Sequence, residues 1–261
     1  MKFKYYQVDA FTDKVFKGNP AGVIFSDIDD KKLMQKIAFE NNLSETAFVS
    51  KINNEYYIRW FAPLCEVDLC GHATLASAFI FFNYIDKNAS EFCVNSKSGL
   101  LIVRRDNNKY YLDFPLDILN TYEDFNFIEL ALGFRPDELF LGRDDILAIF
   151  KDESIIKNIT PDFNLLSSIS NRGVIASAKS HDVDFVSRCF FPSTGVNEDP
   201  VTGSAHTTLL PYWSSRLNKK DMIAKQISQR GGLLYCSVDN NRAIIGGEAI
   251  LFLTGEIEIK S

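Results

Sequence analysis

A chain of 261 residues with 46% hydrophobic and 24% charged side chains has an ordinary globular composition, with apolar material for two domains of about 100 to 150 residues each. Its formal charge of −6, with Lys and Arg scattered rather than clustered, argues against the basic surface that nucleic-acid binding requires. No charged start leads into an apolar stretch and no apolar run reaches about 18 residues, so neither a signal peptide nor a membrane span is expected, and a cytoplasmic location is.

Residues 2–9 alternate apolar and polar and predict a strand. After a loop over 11–19, Gly18-Asn19-Pro20-Ala21-Gly22 is turn chemistry leading into a strand over 23–25, and Asn19 reads either as a turn former or as a ligand-facing residue. Asp29-Asp30 can cap a helix that carries Leu33, Met34, Ile37 and Ala38 on one face and ends near Asn41-Asn42. Glu45 sits where this helix gives way to a strand over 46–49, a place where a lone glutamate is ordinarily solvated.

A strand over 56–61 delivers the chain to Glu66-Val67-Asp68-Leu69-Cys70-Gly71-His72-Ala73-Thr74-Leu75-Ala76. An acid, a thiol, a glycine and an imidazole there precede an apolar run over 73–82, which predicts a helix buried in its own domain. Backbone N–H groups at such a helix start lack intrahelical partners and suit a carboxylate or phosphate, and Gly71 lets a ligand approach closely. Cys70 reads either as a nucleophile or base activated by the helix end or as a small buried residue, and His72 either as a satisfied core imidazole or as a functional one.

Strands over 91–94, 100–104 and 110–114 follow, then an aperiodic stretch, 115–125, as the candidate linker, and a short helix over 127–132 closed by Gly133. Two strands, a short helix over 162–168 and strands over 173–177 and 184–190 lead to Asn197-Glu198-Asp199-Pro200-Val201-Thr202-Gly203-Ser204-Ala205-His206. Asp68 precedes Gly71 by three residues and Asp199 precedes Gly203 by four, so the two motifs read as a degenerate internal duplication, each half supplying one helix start to a shared cleft. Thr202 stands where a second Cys70 would have to be, which excludes a symmetric two-thiol mechanism. Pro211 is expected to kink or break the second helix, and strands over 222–228, 232–237, 242–245 and 249–259 close an α+β pattern.

Cys65, Cys70, Cys93, Cys189 and Cys236 contain no C-x-x-C pair, and none of His72, His181 and His206 lies at ligand spacing from another. Neither a disulfide framework nor a metal site is expected.

Beyond the two motifs, the chain carries Val8-Asp9-Ala10-Phe11-Thr12, Gly18-Asn19-Pro20-Ala21-Gly22-Val23, Asn42-Leu43-Ser44-Glu45-Thr46-Ala47-Phe48-Val49, Ile58-Arg59-Trp60-Phe61 and Gln229-Arg230-Gly231-Gly232. In this ordered set it resembles the phenazine-biosynthesis isomerase (PhzF-like) family, which shares the diaminopimelate epimerase-type fold. The resemblance implies two similar lobes, each a curled, mostly antiparallel sheet wrapped round a central apolar helix. Residues 1–117 would form the N-terminal lobe, with the last strand, about 249–261, returning to it, and 118–248 the C-terminal lobe. The active site would lie in the cleft between them, and the assembly would be a homodimer.

Carried over by position, the resemblance makes Glu45 the general acid/base and His72 and Asp199 catalytic residues that bind substrate and assist proton transfer. Asn19, Gly71, Gly203 and Ser204 become substrate-binding positions. Related epimerases use two cysteines at positions matching Cys70 and Thr202, so a single carboxylic acid becomes the proton carrier here. The implied function is a cofactor-independent isomerase moving a proton between carbons of a small carboxylate-bearing metabolite. Two alternatives stand beside it, a catalytically idle metabolite-binding protein that keeps the cleft and a Cys70-dependent epimerase.

Overall fold

The computed structural model describes residues 1–260. In chain order the first half comprises β1 (Lys2–Ala10), β2 (Asn19–Phe25), α1 (Lys31–Asn41), β3 (Glu45–Ile52), β4 (Glu55–Phe61), β5 (Glu66–Val67), α2 (Gly71–Ile80), β6 (Glu91–Ser96), β7 (Gly99–Asp106) and β8 (Lys109–Pro115). The second half comprises β9 (Asn120–Thr121), α3 (Phe125–Leu132), β10 (Glu138–Leu141), β11 (Asp145–Phe150), α4 (Glu153–Asn158), α5 (Phe163–Ser167), β12 (Gly173–Lys179) and β13 (Phe185–Phe191). It continues through β14 (Val196–Asp199), α6 (Ala205–Leu217), β15 (Asp221–Gln226), β16 (Gly232–Asp239), β17 (Arg242–Gly247) and β18 (Ala249–Glu258). Among the described residues no helix is long and apolar enough to cross a membrane.

The chain divides into two compact units, one of Met1–Asp113 with the chain from Gly246 onward, the other of Phe114–Ile245. In the first unit β1 pairs antiparallel with both β18 and β2, β2 pairs parallel with β3, and β3 pairs antiparallel with β4. Beyond β4, which carries the short β5 at its end, the sheet continues through a parallel pairing to β6 and an antiparallel one to β7. Nine of the ten residues of α2 are buried, with the helix packed on β1, β2, β3 and β18. Such all-round burial is why its sequence is apolar on every side. α1 instead buries one face, Met34, Ile37 and Ala38, against Ile24, Phe48 and Phe61. Its ends are fixed by the Asp30 carboxylate, which accepts from the Lys32 and Leu33 N–H groups, and by left-handed Asn42.

The second unit repeats the scheme strand for strand. β10 pairs antiparallel with β11, β11 parallel with β12, and β12 antiparallel with β13. β13 carries the short β14 at its end and pairs parallel with β15, which pairs antiparallel with β16. α6 takes the place of α2, and its Trp213 stacks on Phe185 at 5.4 Å while donating Nε1–H to Ser177 Oγ at 2.9 Å. The core beside α3, α4 and α5 is built from Ile128, Leu132, Ile156 and Leu166 with Val174, Ala176 and Phe190.

Three sequence expectations are corrected. Asn19 is not a turn residue but the first residue of β2, paired with Ala10 and fully buried, and the turning is done by Gly18 at φ +64°. Pro211 does not break α6, which runs continuously through it. Proline lacks the N–H that would reach the carbonyl four residues back, Thr207, and the Asp117 N–H donates to that oxygen instead at 3.2 Å. The apolar helix after His72 also does not stay α-helical to its end, since Phe81–Ile85 widens into a π-helical turn.

Candidate active site

In the first unit three elements bring their ends to one place. Glu45 opens β3 opposite Ala21 of β2, Asn19 lies two residues earlier on β2 and so on the same face, and His72 lies in the first turn of α2. The Asn19 side-chain amide donates to His72 Nδ1 at 3.3 Å, and Cys70 Sγ lies 3.5 Å from the same nitrogen. With Nδ1 accepting, the ring proton resides on Nε2, which lies 3.3 Å from Glu45 Oε2 without making a hydrogen bond to it. Burial lowers the His72 pKa to about 3, so the imidazole is neutral at physiological pH. Glu45 keeps 18% of its side chain exposed against 6% for His72, making the carboxylate the open side of the group. One ligand atom each from Glu45, Cys70 and His72 lies within 4.8 Å of the others.

Gly71 is the buried first residue of α2, and Cys70 caps the helix through its extended backbone, without a side-chain hydrogen bond. The approach to this start is braced by Arg59, whose guanidinium forks onto Glu66 at 2.8 and 3.1 Å. With Lys31 and Lys97 also on Glu66, its carboxyl is held down to about 2, the Arg59 hydrogen bond being the largest cause. Asp68 is not part of the group, since its side chain is 75% exposed and meets Lys97 at 3.4 Å.

In the second unit Arg188 forks onto Glu198 at 2.7 and 2.9 Å, the same brace in the same place. Superposing the two forks aligns Glu66 with Glu198, Cys70 with Thr202 and Gly71 with Gly203, and therefore Val67, not Asp68, with Asp199. The parallel of the two acids is thus a correction to the duplication, explained by the one-residue difference in their spacing. Asp199, the last residue of β14, accepts the Thr202 hydroxyl at 2.5 Å. Gln226, fully buried on β15, ties the turn together by accepting from Thr202 N at 2.8 Å and donating to Asp199 O at 2.8 Å and Thr202 Oγ1 at 3.2 Å.

Gly203 and Ser204 complete the turn into α6. Ser204 does not cap the helix with its side chain, and its Oγ accepts instead from Arg172 Nη1 at 3.3 Å. Arg172 also donates Nε–H to the buried Asp145 at 2.8 Å. His206 is buried with Nδ1 2.9 Å from Thr202 O, and burial lowers its pKa to about 4. Sequence reasoning missed Gln226, Arg172 and Asp145, each of which reaches its partner across at least 24 residues. The signal available was position, because Arg172 precedes the β12 start as Ser44 precedes the β3 start.

The family model of the phenazine biosynthesis-like protein matches residues 8–255. An uncharacterized isomerase of Pseudomonas aeruginosa is 44% identical over 261 residues, covering 99% of this chain and 100% of its own. A crystal structure of a PhzF-family phenazine biosynthesis protein from Enterococcus faecalis superposes with a TM-score of 0.96 at 49% identity, over 99% of this chain and 100% of that one. A predicted epimerase from Pseudomonas aeruginosa, 16% identical over 99% of this chain and 100% of its own, shares the fold with a TM-score of 0.81.

Proposed function

The chain belongs to the phenazine biosynthesis-like protein family, with an α+β fold of the diaminopimelate epimerase type, and we propose that it is a cofactor-independent isomerase in which Glu45 moves a proton between carbons of a small carboxylate-bearing metabolite. Full-length relatives named isomerases support the reaction class. The observation that carries the assignment of Glu45 is its part-exposed carboxylate 3.3 Å from Nε2 of the buried, neutral His72. The neutral imidazole leaves the carboxylate without a fixed cation beside it, so Glu45 can take up and release a proton.

Proton transfer at carbon also needs donors where negative charge develops. In the first unit the backbone N–H of Gly71 at the start of the buried α2, with Asn19, is assigned to the substrate's carboxylate, and in the second unit Gly203 and Ser204 at the α6 start are substrate-binding positions in their own right. Asp199, held by Thr202, is assigned a role in substrate binding and proton transfer. Gly173 is the counterpart of Glu45 in the repeated scheme, so the second unit offers no matching acid and the proposed chemistry rests on one carboxylate.

Incubation with a metabolite extract in deuterated water tests the proposal, the expected result being deuterium gained by a carboxylate-bearing compound. Glu45→Gln should slow that exchange by about 100-fold to 10,000-fold while leaving folding and ligand binding in place. Exchange at the wild-type rate in that variant would overturn the reading, and a ligand that binds without any exchange would mark an idle binding protein.

A second reading is favoured by Cys70 Sγ, 3.5 Å from His72 Nδ1. A Cys70-dependent epimerase would lose exchange on alkylation or in Cys70→Ala, whereas the Glu45 reaction retains it at least in part.

A further inference from the structure

We propose that Arg172 is a positioning residue of the second unit, holding the Ser204 hydroxyl so that its proton is free to donate to a carboxylate oxygen of the substrate. The assignment rests on Ser204 being a substrate-binding position in the reading above. Arg172 Nη1 donates to Ser204 Oγ at 3.3 Å. A serine hydroxyl has a single proton to give, and an oxygen that accepts from a guanidinium keeps that proton pointed away from it. The half-buried Ser204 side chain does not cap α6, and among the described residues its O–H meets no acceptor, so the donor is left for a ligand.

Arg172 can aim because each part of it is fixed. Its backbone N–H donates to Asp144 O at 2.8 Å, and its carbonyl accepts from Ser193 Oγ at 2.6 Å. Nε donates to Asp145 Oδ1 at 2.8 Å and Nη2 to Asp145 Oδ2, on the buried first residue of β11. The guanidinium also lies over the Phe191 ring, 4.8 Å from its centre. A two-pronged fork on a buried carboxylate stops the guanidinium from turning, which directs the remaining nitrogen, Nη1, at Ser204.

Asp145 balances the positive charge, so Arg172 supplies direction and polarisation rather than a free cation. The first unit makes the same kind of contact. His72 follows Gly71 as Ser204 follows Gly203, and the Asn19 amide donates to His72 Nδ1 at 3.3 Å. In each unit the residue after the helix-start glycine is thus held by a donor from the same unit.

The test titrates benzoate, with benzamide as its uncharged counterpart, into the full chain and follows the backbone amide at position 204 by NMR. Benzoate should shift that amide saturably, and benzamide should not. Ser204→Ala should weaken benzoate by about 10-fold or more, the scale of one hydrogen bond to a charged group. Arg172→Gln should weaken it by about 3-fold to 10-fold, and by nothing further once Ser204→Ala is present, because Arg172 acts through that hydroxyl. Arg172→Lys keeps the charge but loses the fork, and should behave as Arg172→Gln. Should Arg172→Gln fail to fold with Asp145 left unpaired, Arg172→Gln combined with Asp145→Asn removes both buried charges and should show the same loss.

Wild-type affinity in Arg172→Lys or in Arg172→Gln would overturn the proposal, and so would a loss from Arg172→Gln that is equally large with and without the Ser204 hydroxyl. An amide indifferent to benzoate, or shifted as far by benzamide, would overturn the carboxylate as the group received. Benzoate bound through Arg172 and Ser204 in a protein that exchanges no deuterium would overturn the isomerase reading and leave this assignment standing.

Discussion

His72 Nε2 lies 3.3 Å from Glu45 Oε2, yet burial keeps the imidazole neutral, with a pKa of about 3, so the contact is between a neutral ring and a carboxylate rather than a salt bridge. The pH dependence of deuterium exchange should accordingly show no limb near the ordinary imidazole value of about 6.5. His72→Asn should slow exchange by about 100-fold, the scale of one lost polar group beside the reacting centre. A rate limb near pH 6.5 that disappears in His72→Asn would mean the imidazole titrates in the site.

The same burial makes the fold acid-sensitive. His72 and His206 have folded pKa values of about 3 and about 4, below the unfolded value of about 6.5, so between those values the unfolded chain binds the extra protons. Their neutral burial is fully compatible with folding above pH 6.5, and stability is lost as pH falls from there toward each folded value. At pH 5 each imidazole should have cost about 2 kcal/mol relative to pH 7.5. Urea unfolding at the two pH values measures the difference, and His206→Gln should reduce it by about 2 kcal/mol.

Local signals carried the fold a long way. Asp30 and Asn42 bracket α1 because capping is written in neighbouring residues, and the unbroken apolar run after His72 can only be a buried helix. What escaped was set by distant partners. Asn19 before Pro20 carries turn chemistry, and only its pairing with Ala10 makes it a strand residue. The six residues of α4 are too few to show a period, and the polar residues of β14 are strand only because β13 lies beside them. Asp68 and Asp199 look equivalent along the chain, and the Arg59–Glu66 and Arg188–Glu198 forks reveal the offset. Glu45 carried no local mark of its own, and the family resemblance singled it out before β2, β3 and α2 brought it to His72.

Gln226 is the buried residue on which the Asp199–Thr202 turn depends. Gln226→Leu would leave the Thr202 N–H and the Asp199 carbonyl without their present partner, at about 1–3 kcal/mol each. A loss of about 2–5 kcal/mol by chemical unfolding is expected, together with slower exchange as Asp199 shifts, whereas Gln226→Glu should weaken the turn less because it keeps the acceptor for Thr202 N. Wild-type stability in Gln226→Leu would show that the turn is held from elsewhere.

Gly173, the counterpart of Glu45, decides whether the second unit could ever have carried a matching acid. A Cβ there would stand 2.1 Å from the Phe190 carbonyl oxygen and 2.4 Å from Phe191 Cδ1, and the carbonyl, being backbone of the paired strand β13, cannot swing aside. Gly173→Ala should therefore cost about 2–4 kcal/mol or prevent soluble folding, on the scale of overpacking in a filled core. Gly255→Ala is the matched control, because its Cβ would meet nothing nearer than Leu253 Cδ2 at 3.7 Å and should leave the melting temperature within about a degree or two. If Gly173→Ala melts with the wild type, β12 and β13 can part enough for a side chain, and a second carboxylate is sterically possible. If it is crippled, packing alone restricts the acid to the β3 start, and single-carboxylate chemistry follows from the fold.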